Sequence, residues 1–143
     1  MTAQEMWKAS GIEAEYEAWA FGDDPDTLAE LVRTGVKTAT ASAYPFYELE
    51  GEELPKAGEY SVILNTKNEA VCIIRTTKVY VTPYREVTAK QAWKEGEGDR
   101  SLSYWRRVHE AFFRKELEAV GLTFTEDMGV VCEEFEVVYP KGV

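Results

Sequence analysis

Histidine is nearly missing from this chain and cysteine is scarce: one His and two Cys in 143 residues. No CxxC pair occurs, which argues against a zinc site built from the usual thiolate and imidazole ligands. Cys72 and Cys132 each fall inside an apolar, strand-like run, the setting of a buried thiol that acts as a small hydrophobe. Basic residues are outnumbered, 16 against 26 acids, for a net charge of −10. That balance counts against general binding to duplex DNA, because phosphate neutralisation supplies most of such affinity. Long apolar runs are also absent. None approaches the roughly 20 residues needed to span a bilayer. Met1 to Ser10 has neither the basic start nor the apolar stretch of a signal peptide. These absences predict a cytoplasmic protein with no membrane partner.

What remains is ample for one domain, 1–143, with a single proper core. Hydrophobic residues make up 45% of the chain, and four Trp, eight Tyr and six Phe remove the need for disulfide or metal staples. The charge is unevenly spread. Between Arg100 and Lys115 five basic residues stand against one acid, Glu110, so this segment carries +4 and the rest −14. A local basic face on an acidic body suits a defined anionic or nucleotide-like ligand better than a long polyanion.

The pattern predicts an α+β chain without alternating βαβ units. Thr2 and Glu5 form a capping box for a first helix ending near Gly11. Ile12, Tyr16, Trp19 and Ala20 recur at helical spacing. Asp24 and Pro25 start a helix that Gly35 closes. Gly35 to Ser42 then opens the first strand, and Ala43 to Leu49 allows one helical turn. Tyr60–Leu64 and Ala70–Val81 form a hairpin through Thr66 to Glu69, the second run long enough to need a bulge. Thr88 caps a short helix. Asp99 or Ser101 caps the longest one, whose buried stripe is Leu102, Trp105, Val108, Phe112, Leu117 and Val120. Val130–Tyr139 reads as a strand with one wet face. Strands of this number and length favour a small, mostly antiparallel, barrel-like sheet with helices packed outside.

Two stretches offer chemistry. In the first, Lys37 and Thr40 lie three residues apart among small neighbours. A threonine hydroxyl attacks only beside a base, and a lysine serves as that base only when burial or a nearby cation weakens its hold on the proton. In a straight strand i and i+3 point to opposite faces, so the pair needs a backbone turn, which Gly35 makes available. The plainer alternative is a lysine on helix carbonyls and an ordinary strand threonine. The second stretch, Glu95-Gly96-Glu97-Gly98-Asp99-Arg100-Ser101, brings three carboxylates together on a glycine-spaced loop. They can polarise Lys37, protonate a leaving amine, or hold Mg²⁺ or Mn²⁺ through oxygen. Alternatively Glu95 ends one helix, Asp99 caps the next, and Glu97 is solvated. Arg100 and Ser101 lie where free helix N–H groups favour an anion. Arg106 reaches for a phosphate, His109 is a further polar candidate, and Tyr44, Phe46 and Tyr47 can wall a base pocket.

The pattern Gly35-x-Lys37-x-x-Thr40 at the entry to a β-domain resembles the ASCH domain family, whose fold is PUA-like. The likeness continues through Glu95-Gly96-Glu97-Gly98-Asp99-x-Ser101-Leu102-x-x-Trp105-Arg106-x-x-His109, Phe112-Phe113 and Cys132-Glu133-x-Phe135, and is closest to the longer, stand-alone branch. The resemblance implies RNA-related work. Some members are RNA-binding modules, one is a ribonuclease, and one is an amidohydrolase that removes the acyl group of N4-acetylcytidine. By position, the amidohydrolase's Lys, Thr and Glu fall on Lys37, Thr40 and Glu95. Many members carry an arginine two residues after the threonine, where this chain has Ser42. The expected protein is therefore a hydrolase acting on single-stranded RNA or a modified nucleoside. Lys37, Thr40 and Glu95 are its catalytic candidates, and Gly35, Ser42, Tyr44, Glu97, Arg100, Ser101, Arg106 and His109 its ligand contacts. It needs no obligatory cofactor. The rivals are a non-catalytic RNA-binding domain and a small-ligand or interaction module.

Overall fold

The computed structural model describes residues 1–140. Five helices surround one five-stranded mixed sheet of order β1-β3-β4-β5-β2. The strands are β1 (Tyr16–Trp19), β2 (Ala39–Ala43), β3 (Tyr60–Leu64), β4 (Ala70–Pro83) and β5 (Gly129–Tyr139). The helices are α1 (Ala3–Ser10), α2 (Pro25–Arg33), α3 (Tyr44–Glu50), α4 (Ala89–Glu95) and α5 (Leu102–Ala119). Only β1 and β3 pair in parallel; the other pairings are antiparallel.

Caps set the helix ends largely as the sequence predicts. Thr2 and Glu5 complete the capping box of α1, Thr88 caps α4, and the Ser101 hydroxyl accepts from Tyr104 N–H at the start of α5. Strand alternation then sorts the core. Along β3, Val62 joins Met6 and Ile73 under α1, while Ile63 joins Cys72, Ile74 and Phe135 under α2. Val130 and Cys132 of β5 pack with Trp105, Phe113 and Leu117 of α5. Both cysteines are free and buried, and burial pushes each thiol up to about 12.

Four expectations are corrected. The sheet is not closed into a barrel: β1 and β2 are its two ends, and nothing pairs them among the described residues. Ile12 to Ala20 is not a helix. Tyr16–Trp19 takes its backbone hydrogen bonds from β3. Tyr16 then stacks on Trp7 at 4.5 Å while Trp19 packs on Phe21 at 5.0 Å. These sit in different cores, as residues three apart in a strand must. The strand after Gly35 is therefore the second in the chain. On α5, Phe113 is buried and Val120 is 45% exposed, so the stripe is turned by one position near its end. The bulge expected in β4 is present as register shifts at Ile73/Ile74 and Thr76/Lys78.

Candidate active site

Lys37 does not belong to β2. It sits in the connection before it, where Gly35 adopts φ +81 and both Val36 and Lys37 donate their N–H to the Leu31 carbonyl at 3.0 Å. That turn sends the lysine side chain inward, to 1% exposure. Its Nζ meets Glu97 Oε2 at 2.9 Å, Glu95 Oε1 at 3.6 Å and the Glu95 carbonyl at 3.4 Å. The Phe21 ring lies 5.4 Å away. The early lysine and the glycine-spaced loop thus share one site.

Gly96 makes this approach possible. It caps α4 with φ +72, and a Cβ there would stand 2.6 Å from the Val36 carbonyl oxygen. Only glycine lets the loop come so close. Arg100 ties the same loop down. Its Nε donates to the Trp93 carbonyl at 2.9 Å and its guanidinium stacks 3.7 Å over the Trp93 ring.

Glu95, also 1% exposed, is held by two donors on the same oxygen. Trp105 Nε1 donates to Oε2 at 2.6 Å and Gln91 Nε2 at 3.1 Å. Gln91 Nε2 also reaches the Thr40 carbonyl at 3.3 Å and its Oε1 accepts from Tyr80 at 3.1 Å, so one amide links the acid to β2 and β4. Burial works against a charged Glu95. His109, Lys37 and Trp105 outweigh it and hold the carboxyl below its ordinary range. Lys37 thus has a carboxylate on either side.

Glu95, Glu97 and His109 present atoms within 4.8 Å of one another. The Lys37 ammonium already lies against both carboxylates. Asp99, the third oxygen donor considered for Mg²⁺ or Mn²⁺, instead accepts the Ser101 N–H at 2.9 Å. The donor set fits an ammonium rather than a metal.

Thr40 takes another direction. It pairs with Glu133 of β5 and, with Ser42, lines a cleft of about 1710 Å³ over the sheet. Every strand contributes to that surface: Glu17, Ser61, Thr76, Glu133 and Thr40. Phe46, Tyr47 and Phe112 form aromatic walls, and the Ser42 and Tyr47 hydroxyls share a hydrogen bond at 2.9 Å. The two end strands, β1 and β2, both line this cleft. Phe21 and Phe113 line it too, and they also contact Lys37 and His109, so cleft and ion cluster share a wall.

Eight glutamates line the cleft; among the described residues no lysine, arginine or histidine does. Glu133 is a half-buried carboxyl in this lining. Burial first, then Glu59 and Glu17, push it up to about 7, against the opposing effect of Thr76.

Other expected contacts are placed elsewhere. Tyr44 packs on Gly129 and does not line the cleft. Ser101 uses its hydroxyl as the α5 cap, and Arg100 spends its donors on backbone carbonyls. Arg106 is exposed and reaches the Arg85 carbonyl at 3.4 Å. Gln91, Trp105 and Glu133 were not foreseen as site residues. Gln91 and Glu95 share a helix face at i and i+4, which was a usable signal.

The ASCH domain model matches residues 17–139. The chain belongs to the ASCH domain family. A crystal structure of an ASCH domain from Lactobacillus crispatus JV V101 is 32% identical with a TM-score of 0.88, over 95% of this chain and 93% of that one. Protein EF3133 from Enterococcus faecalis V583 is 37% identical with a TM-score of 0.83, over 96% and 88%. No functionally curated protein matches. In this ASCH domain, then, the PUA-like α+β frame carries a buried Lys37–Glu95–Glu97–His109 cluster behind an acidic, aromatic-walled cleft.

Proposed function

We propose that this ASCH domain is a hydrolase acting on RNA or a modified nucleoside, with the nucleoside the better fit. The observation that carries the reading is the buried Lys37–Glu95 pair, in which the carboxylate is kept below its ordinary range and its Oε1 faces Lys37 Nζ at 3.6 Å and His109 Nε2 at 3.4 Å. A buried carboxylate kept charged beside an amine is a candidate for proton transfer.

In the reaction, Glu95 takes a proton from a water as that water attacks an acyl carbonyl on a cytidine-like amine. The Lys37 ammonium stabilises the oxyanion that forms. The carbon–nitrogen bond then breaks, the amine leaves with the proton that Glu95 received, and a carboxylic acid is released. Thr40, on the cleft floor, orients the substrate or the water. This exchanges the roles expected from sequence, where Lys37 was the base. An acidic cleft with aromatic walls favours an uncharged ring over a polyphosphate, which separates the nucleoside from long RNA.

The test is product analysis after incubation with N4-acetylcytidine and with single-stranded RNA, each with and without Mn²⁺. Cytidine and acetate without added metal are expected, and Glu95→Gln should lower turnover by about 10²–10⁴. No product from either substrate removes the proposal. Binding of RNA without cleavage, with affinity falling steeply with salt, would support the RNA-binding rival.

A further inference from the structure

Glu95 Oε1 has a neighbour besides Lys37: His109 Nε2, at 3.4 Å. The other ring nitrogen, Nδ1, lies 2.9 Å from the Trp105 carbonyl oxygen. A carbonyl only accepts, so Nδ1 carries a hydrogen, and a neutral ring would hold its lone pair on Nε2. That lone pair would face a buried carboxylate oxygen with nothing between them. Two acceptors opposed in a low-dielectric site repel, and the fold does nothing to part them. Instead it fixes the ring in place: the Trp105 indole stacks on it at 4.1 Å and 14°, and the Phe113 ring packs against it at 5.7 Å.

We infer that a proton sits on His109 Nε2 and is donated to Glu95 Oε1, so that His109 is an imidazolium and a positioning residue for Glu95. Three observations support this. The apparent orphan Oε1 gains its missing donor. The charged groups facing the ring are Glu95 from α4, Glu97 from the loop and Lys37 from the turn before β2. With His109 positive, the four carry two charges of each sign, the balance a largely buried cluster needs. The Trp105 π face also favours a cation against it. The role as a positioning residue rests on the hydrolase reading: a second cation orients Oε1 and keeps Glu95 charged until a substrate takes its place. The protonation itself does not depend on that reading.

The chain contains a single histidine, so its ring nitrogens can be observed without assignment. The experiment is a long-range ¹H–¹⁵N spectrum of the intact, uniformly labelled protein at pH 7.5, repeated with Glu95→Gln and with Zn²⁺ followed by chelator. Both nitrogens are expected to carry protons, with the Nε2 proton far downfield. Glu95→Gln should return Nε2 to the unprotonated form, and Zn²⁺ should leave the wild-type spectrum unchanged. A bare Nε2 in the wild type overturns the inference, whatever the variant does. So does a chelator-reversible shift with Zn²⁺, which would put a metal where the proton is assigned. Where N4-acetylcytidine is turned over, His109→Gln should move the acid limb of the rate profile to higher pH, because Glu95 then holds its proton more tightly. If no substrate is turned over, the hydrolase reading fails while the wild-type spectrum still decides the protonation.

Discussion

Replacing Glu133 by glutamine removes a carboxyl that the fold holds in an unfavourable place. It is half-buried on β5, across from Thr40, with Glu59 and Glu17 adding negative charge around it. These push it from an ordinary 4.5 up to about 7. Below 4.5 the group is protonated in both folded and unfolded chains and has no differential effect. As pH rises from 4.5 to 7 the unfolded chain releases its proton first, so the native state is progressively destabilised. Above 7 the full penalty is present. At about 1.4 kcal/mol per tenfold, the gap from 4.5 to about 7 sets a ceiling of about 3.5 kcal/mol. Partial solvent access lowers this toward about 1–2 kcal/mol. Chemical denaturation of wild type and Glu133→Gln at pH 5 and pH 8 measures it. The variant should gain stability relative to wild type on going from pH 5 to pH 8. An equal difference at both pH values would refute the reasoning, because a plain packing effect does not titrate.

Lys37→Met should destabilise the fold by about 3–5 kcal/mol, since it removes the cation that Glu95 and Glu97 share and leaves an excess of buried negative charge. Adding Glu95→Gln should recover part of that loss, and a double-mutant cycle by denaturant titration checks the coupling. Trp105→Phe keeps the ring packing but deletes the 2.6 Å donor to Glu95 Oε2, with an expected loss of about 1–3 kcal/mol in the same assay. Gly96→Ala puts a methyl group 2.6 Å from the Val36 carbonyl oxygen at positive φ. It should lower stability by at least about 1–2 kcal/mol and shift the melting temperature down by several degrees.

How much of this was legible depended on whether the signal was local. Helix caps are local, and Thr2, Thr88 and Ser101 announced them. The meeting of Lys37 with the Glu95–Glu97 loop was also legible, because a glycine-spaced acidic loop and a lone lysine after a helix stop are both unusual. β1 was misread because its four residues have no pattern of their own; β3 supplies their hydrogen bonds. The open sheet was hidden for a related reason. Strand lengths say nothing about whether the first and last strands in space will pair. Glu133 looked like one more acid on a wet strand face. Its position against Thr40 is set by the β2–β5 register, which no single segment encodes.

Stability alone does not account for the ion cluster, since an apolar replacement of a buried pair is often neutral or better. Yet four separate features, on three segments, are committed to it. The Gly35 turn points Lys37 inward, Gly96 lets the loop approach, Arg100 ties that loop to Trp93, and Gln91 links Glu95 to β2 and β4. Such positioning is what a reacting group requires and what a core does not. The adjoining cleft shares its Phe21 and Phe113 wall with that cluster. Its eight glutamates oppose a chain of phosphates, while Phe46, Tyr47 and Phe112 offer flat surfaces to a neutral ring. The basic face of α5, with Arg106 and Arg107 exposed, lies outside that lining. A positive patch that does not border the cleft cannot offset the cleft's own field at the distances where charge is screened. Under the proposed hydrolase reading, this arrangement sets Glu95 and Lys37 beside a cleft that favours a small uncharged substrate.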